Sequence, residues 1–163
     1  FRAGPGINQV AQVVESLRNN PGSRRHIVEG WNVAELDRMA LPPCHKTYQF
    51  QVSGTRLNCM LTQRSCDVAL GLPFNLFGAA LFTRMLAQQC DLEPGELVWS
   101  GGDTHLYLNH ADLVAEQLSR SPSGEPARLT ILRRADSIFD YRIEDFEVTG
   151  YAPQAHIAAP VAV

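Results

Sequence analysis

Long apolar runs are missing from this 163-residue chain. No stretch approaches the roughly 18 uninterrupted apolar residues of a membrane-crossing helix, so no membrane association is expected. Cysteine is scarce, and Cys44, Cys59, Cys66 and Cys90 lack C-x-x-C spacing, which argues against zinc. No metal is expected. The four read as reduced thiols, and the cytoplasm is the expected compartment. A basic excess is lacking too: 14 Lys and Arg stand against 17 Asp and Glu, a net charge of −3. A general nucleic-acid surface, and DNA as a partner, are therefore not expected, and any anion site has to be a local group of arginines. No basic-apolar-small leader opens the chain, and no repeat or low-complexity tract interrupts it. An initiator methionine is absent as well. The chain opens Phe1-Arg2-Ala3-Gly4-Pro5-Gly6 and reads as starting inside something longer.

What is present suits one globular domain over residues 1–163 with a sizeable core. Residues 7–19 read as an amphipathic helix with Ile7, Val10, Val14 and Leu17 on one face. Asn19-Asn20-Pro21-Gly22 ends it, and a short strand follows at His26-Ile27-Val28. A helical turn is expected over 33–39. Strands are expected over 46–52 and 56–63, joined by Ser53-Gly54-Thr55. Residues 74–89 are apolar nearly all round, with Pro73 in the first turn, and predict a central buried helix. Further strands are expected at 96–99, 128–132 and 146–148, and a helix over 109–118 with Asn109 as its N-cap. Helices mixed with antiparallel strands place the chain in the α+β class.

Several residues invite a chemical reading beside a structural one. Cys44 follows Pro42-Pro43, which fix φ and remove donors, so its thiol is presented on a stiff platform that opens into a strand. A nucleophile needs such fixed placement, yet a lone cysteine is also a small hydrophobe of the interior. Ser23-Arg24-Arg25 beside a turn suits a phosphate clamp or a solvated charge pair. Asn75, in the first turn of an apolar helix, needs partners for its amide, from the protein or from a ligand. His105 and Tyr107 point the same way from an extended segment, as ligands for a sugar hydroxyl or as residues of a sheet edge. The apolar tail around Pro160 and Val161 packs, frays or closes over a site.

Longer strings carry more information. Ser23-Arg24-Arg25, Trp31-Asn32-Val33, the run from Ala40 to His45, Q-R-S-C-D-V-A-L-G-L-P-F-N over 63–75, G-G-D-T-H-L-Y over 101–107, S-I-F-D-Y over 137–141, Glu144-Asp145-Phe146 and Ala159-Pro160-Val161-Ala162 occur in the order found in thymidylate synthases. The chain resembles that family. The resemblance implies a mixed or antiparallel sheet packed on a buried central helix, with one sheet face forming a homodimer interface. It implies reductive methylation of dUMP, with methylenetetrahydrofolate as co-substrate for both the carbon and the hydride. Cys44 matches the nucleophile, and Arg64 the guanidinium that favours its ionised form. Arg24, Arg25, Arg64 and Ser65 match the phosphate binders, Arg24 and Arg25 reaching into the partner's site.

By the same resemblance, Asn75 reads uracil, donating to O4 and accepting from N3–H. Relatives that hydroxymethylate dCMP carry Asp there. His105 and Tyr107 match the deoxyribose ligands. Asp67 matches a residue shared by nucleotide and folate, with Leu70, Gly71, Phe74, Val161 and Ala162 on the folate side. His45 and Gln63 match residues behind the nucleotide. The resemblance also implies that the N-terminal third of the family's chain is absent here. A dUMP or dCMP hydroxymethylase of the same family, and a truncated non-catalytic dimerising remnant, are the alternatives. No role can be read for Cys59, Cys66 or Cys90 beyond packing.

Overall fold

The computed structural model describes residues 6–122 and 124–161. Ala162, expected on the folate side, lies outside the described residues. The chain begins with helix α1 (Gln9–Asn19), whose N-cap Asn8 accepts the Ala11 amide through its side chain at 3.0 Å. That cap starts the helix after Ile7, which is therefore exposed rather than on the buried face. Val13, Val14 and Leu17 are the buried residues of α1. Strand β1 (Ile27–Glu29) and a 3-10 turn (Leu36–Arg38) lead to β2 (His45–Ser53) and β3 (Arg56–Asp67). Gly54 makes the tight β2–β3 turn at φ +60, a conformation that disfavours any Cβ.

Helix α2 (Leu72–Gln89) then crosses over, and β4 (Glu93–His105) returns parallel to β3. A parallel neighbour requires such a crossover, whereas the two antiparallel pairings need only turns or short loops. The mixed sheet has the order β1-β2-β3-β4. A 3-10 turn (Leu108–His110), helix α3 (Ala111–Ser119), strands β5 (Arg128–Ile131) and β6 (Phe146–Thr149) and two further 3-10 turns complete the described fold. The class is α+β with a mixed sheet and three helices, as expected. Helix α3 starts two residues later than its sequence suggests, because the preceding residues wind as a 3-10 turn and Asn109 caps nothing.

The core lies between α1, α2 and the inner sheet face. Leu17, Phe50, Leu57, Cys59 and Leu86 are buried together there, with the Phe82 ring edge-on to Tyr48 and Phe50, each at 5.6 Å. One expectation needs correction. Helix α2 is not buried all round: Ala79, Thr83, Leu86 and Ala87 face the core, but Phe74 is 77% and Phe77 49% exposed. An all-round apolar pattern marks two faces that prefer to leave water, and only one of them is covered by these residues. At the C-terminus of α2, buried Gln89 ties three segments together. Its carbonyl accepts from Arg18 at 2.7 and 2.9 Å, its side-chain oxygen accepts from Arg18 at 3.0 Å, and its Nε2 donates to Ala135 O at 2.7 Å.

Candidate active site

Cys44 stands immediately before β2, half-buried and not in a disulfide. Its carbonyl accepts the Arg64 amide of β3 at 2.9 Å. The Arg64 side chain then reaches back, donating from Nε to Pro43 O at 3.1 Å and from Nη2 to Pro42 O at 2.6 Å. Two successive carbonyls held by the stiff proline pair match the donors of a fork-shaped cation. The guanidinium also stacks over Trp31, 5.6 Å from the ring centre. Arg64 thus clasps the platform that carries the thiol. Burial pushes the thiols of Cys59, Cys66 and Cys90 up, and the Asp67 charge adds to that at Cys66. Those three are held protonated and are poor nucleophiles. Burial holds the His45 imidazole below its ordinary 6.5, so beside Cys44 it is neutral near pH 7.

Behind the thiol runs a relay of amides. Trp99 of β4 donates its indole N–H to Gln63 Oε1 at 2.9 Å. Gln63, 1% exposed, donates from Nε2 to Asn75 Oδ1 at 2.6 Å and to Ser65 O at 3.2 Å. An indole N–H can only donate, so it dictates which end of the Gln63 amide faces it. The other end must then donate to Asn75, which leaves Asn75 with two outward N–H donors and one spare lone pair on Oδ1. The placement of Trp99 depends on Gly101. A Cβ there would stand 2.3 Å from the indole ring and 2.5 Å from Thr104 Oγ1.

Asp67 ends β3 and pairs in register with His105 of β4. Its carboxylate accepts the amides of Ala69 and Leu70, at 2.9 and 3.4 Å, and so shapes the turn into α2. Gly71 belongs to that turn, its amide donating to Asp67 O at 3.0 Å. Leu70 is half-buried beside it, and exposed Phe74 follows one turn on. His105 Nδ1 lies 3.1 Å from Asp103 Oδ1, and its ring meets Tyr107 edge-on at 5.1 Å. Tyr107 meets His110 in turn at 5.8 Å, and His110 Nε2 lies 2.7 Å from Pro160 O. That series of contacts brings the tail, with exposed Val161, to the same end of the sheet.

Cys44, Gln63, Arg64, Ser65, Asp67, Leu70, Gly71, Asn75, His105 and Tyr107 thus gather at one end of β3 and β4. Arg24 and Arg25 do not. They are exposed and precede β1, whose Ile27 pairs with Gln49 in the middle of β2 and whose antiparallel course places the preceding residues on the side away from Cys44. The five residues of strand from Cys44 to Gln49, at about 3.3 Å each, already span roughly 16 Å. Two surface cavities, of about 390 Å³ beside α1 and about 560 Å³ around Arg133 and Asp145, lie away from the cluster. Trp99 and His110 escaped the sequence reading. The available signal was general: a partly buried indole N–H and a histidine beside an apolar helix both need hydrogen-bond partners.

No helix among the described residues is long and apolar enough to cross a membrane. A sequence model described as thymidylate synthase matches residues 2–163. A thymidylate synthase of Novosphingobium aromaticivorans is 80% identical over 162 residues, 99% of this chain and 51% of its own length. Those of Sphingopyxis alaskensis and Rhizorhabdus wittichii are 67% and 59% identical, again across 99% of this chain and 52% of their own. The chain therefore spans about half the length of these curated relatives, a smaller share than the two-thirds that the motif order implies. With its motifs gathered at one sheet end and a match running almost from end to end, the chain belongs to the thymidylate synthase family.

Proposed function

We propose that the protein containing this chain is a thymidylate synthase that methylates dUMP to dTMP through a covalent adduct at Cys44. The observation that carries the reading is the pairing of a half-exposed thiol, held on a platform clasped by Arg64, with an asparagine amide of fixed polarity nearby. In this reading the Cys44 sulfur bonds to carbon 6 of the uracil, and the displaced electron pair makes carbon 5 nucleophilic. Asn75 donates to O4, where the enolate charge collects, and its spare lone pair accepts from N3–H. Arg64 and Ser65 bind phosphate, and His105 and Tyr107 the deoxyribose. Methylenetetrahydrofolate supplies the carbon and the hydride. Its flat ring suits the apolar surface of Leu70 and Phe74 beside the Asp67 carboxylate, with Gly71, Val161 and Ala162 completing its side of the site.

We infer a homodimer in which Arg24 and Arg25 bind phosphate in the partner's site. Their distance from Cys44 within one chain supports it. So does the outer sheet face, where Ile27, Gln49, Met60 and Val98 form one cross-strand row and Ile27, Met60 and Val98 are exposed. The whole protein, about twice as long as this chain by its relatives, is the active species.

The test is an intact-mass measurement after mixing the full-length protein with 5-fluoro-dUMP and methylenetetrahydrofolate. Fluorine does not leave as a proton does, so the reaction stalls as a covalent ternary adduct. The expected mass is protein plus nucleotide plus folate, with no increase for Cys44→Ala. An adduct that persists in Cys44→Ala sinks the assignment. Product analysis with dUMP separates thymidylate from a hydroxymethylated nucleotide.

A further inference from the structure

We propose that His110 is a positioning residue that latches the C-terminal segment to the nucleoside end of the site through the carbonyl of Pro160. The proposal rests on the synthase reading for the consequence of the latch, but not for the latch itself. His110 is fully buried, 0% exposed, at the junction of the 3-10 turn and α3. A carbonyl can only accept, so the 2.7 Å contact requires the proton on Nε2. In the neutral ring Nδ1 is then a bare acceptor, and it is buried with no partner among the described residues. An unsatisfied buried nitrogen is a cost that a phenylalanine or leucine at the same place would avoid. The use of the other nitrogen is what the histidine adds.

That use is specific. The tail is irregular and largely exposed from Tyr151 onward. Arg120 holds Ala155 O at 2.5 Å, and Gln154 donates to Ser121 O at 2.8 Å. Beyond Ala155, the His110 contact is the hydrogen bond that reaches the tail among the described residues. It grips the residue immediately before Val161. The same ring stands edge-on to Tyr107, which stands edge-on to His105. One rigid ring therefore supports a nucleoside ligand on one side and the tail on the other. Tail placement and nucleoside placement share a single buried support.

The experiment compares His110→Phe, His110→Gln and His110→Asn with the wild type in the full-length protein. Phenylalanine keeps the ring edge and loses the donor. Glutamine reaches the Nε2 position with an amide donor, and asparagine is too short to do so. Thermolysin cleavage between Ile157 and Val161, followed by intact mass, reads tail release. Losing one such buried hydrogen bond should speed cleavage about five- to tenfold in the Phe and Asn variants, with Gln near the wild type. Nitrogen-15 spectra of the wild type should show a proton on His110 Nε2. The KM for methylenetetrahydrofolate should rise about fivefold in the same two variants, with the KM for dUMP within about twofold in His110→Phe, which keeps a ring against Tyr107. Unchanged cleavage, or a ring with no proton on Nε2, overturns the latch. Faster cleavage with an unchanged folate KM overturns its positioning role. Should the Phe variant not fold, the Gln and Asn pair gives the same comparison. A wild type without synthase activity refutes the proposed function, and cleavage and tautomer then decide the latch alone.

Discussion

Trp99→Phe separates the polarity of the amide relay from its shape. The substitution removes one N–H and keeps an aromatic ring against Gly101. In the wild type the Trp99 donor at 2.9 Å holds Gln63 with Nε2 toward Asn75, and the 2.6 Å contact holds Asn75 with Oδ1 toward Gln63. Without the indole N–H, the longer 3.2 Å bond from Gln63 Nε2 to Ser65 O is what still opposes a joint flip of the two amides. In that flip the Gln63–Asn75 bond survives with donor and acceptor exchanged, and Asn75 then presents the complement of cytosine instead of uracil. In the wild type the Trp99–Gln63 bond and the longer Gln63–Ser65 bond both oppose that flip, and the substitution removes the shorter of the two. Leaving the buried Gln63 oxygen unpaired costs about 1–3 kcal/mol, so preference for dUMP over dCMP should fall roughly five- to 150-fold. The assay is the dissociation constant for each nucleotide, by calorimetry on wild type and Trp99→Phe, with a thermal melt to confirm folding. A folded variant whose dUMP to dCMP ratio stays within about twofold of wild type refutes the relay as the source of polarity.

Iodoacetamide should modify Cys44 well before Cys59, Cys66 and Cys90, because burial pushes the other three thiols up while Cys44 is half-exposed. Peptide mapping over time reads the order, and faster labelling of Cys66 contradicts it. Leu86→Ala in the fully buried core should cost about 2–5 kcal/mol, seen as a lower urea midpoint with an unchanged slope. Asp145 takes a bidentate fork from Arg133, at 2.8 and 2.6 Å, which holds its carboxyl below the ordinary 3.8. A depressed carboxyl stabilises fully above its unfolded value and loses that contribution as pH falls through the folded one. The melting-temperature gap between wild type and Arg133→Met should therefore be constant from pH 7 to about 5 and close below 3.8. A gap that widens in acid contradicts the sign.

Much of this was legible along the chain. Proline and glycine punctuation, with alternating apolar residues, located β2, β3 and the start of α2, because those signals act within a few residues. Strand β4 was read short, at 96–99 instead of Glu93–His105, since Pro94 and Gly101-Gly102 weaken local strand propensity and only the neighbouring β3 holds them extended. Val13 was missed and Ile7 misplaced because a single capping bond at Asn8 decided where α1 begins. The candidate residues other than Trp99 and His110 were singled out by strings whose order is characteristic of one family.

The sequence by itself determined the chemistry on offer: a thiol after two prolines, an asparagine opening an apolar helix, and arginines in short clusters. Residue type and near neighbours settle such things. Only the tertiary structure decided which groups meet and with what polarity. Gln63, Asn75 and Trp99 are separated by 12 and 24 residues, and their amide orientations follow from an indole donor arriving on a parallel strand together with the Ser65 carbonyl. His110 and Pro160 stand 50 residues apart and touch because the chain after β4 folds back on the site. Hydrogen bonds of that kind have no local signature, since their geometry is set by long-range packing and not by the propensities of the residues that make them.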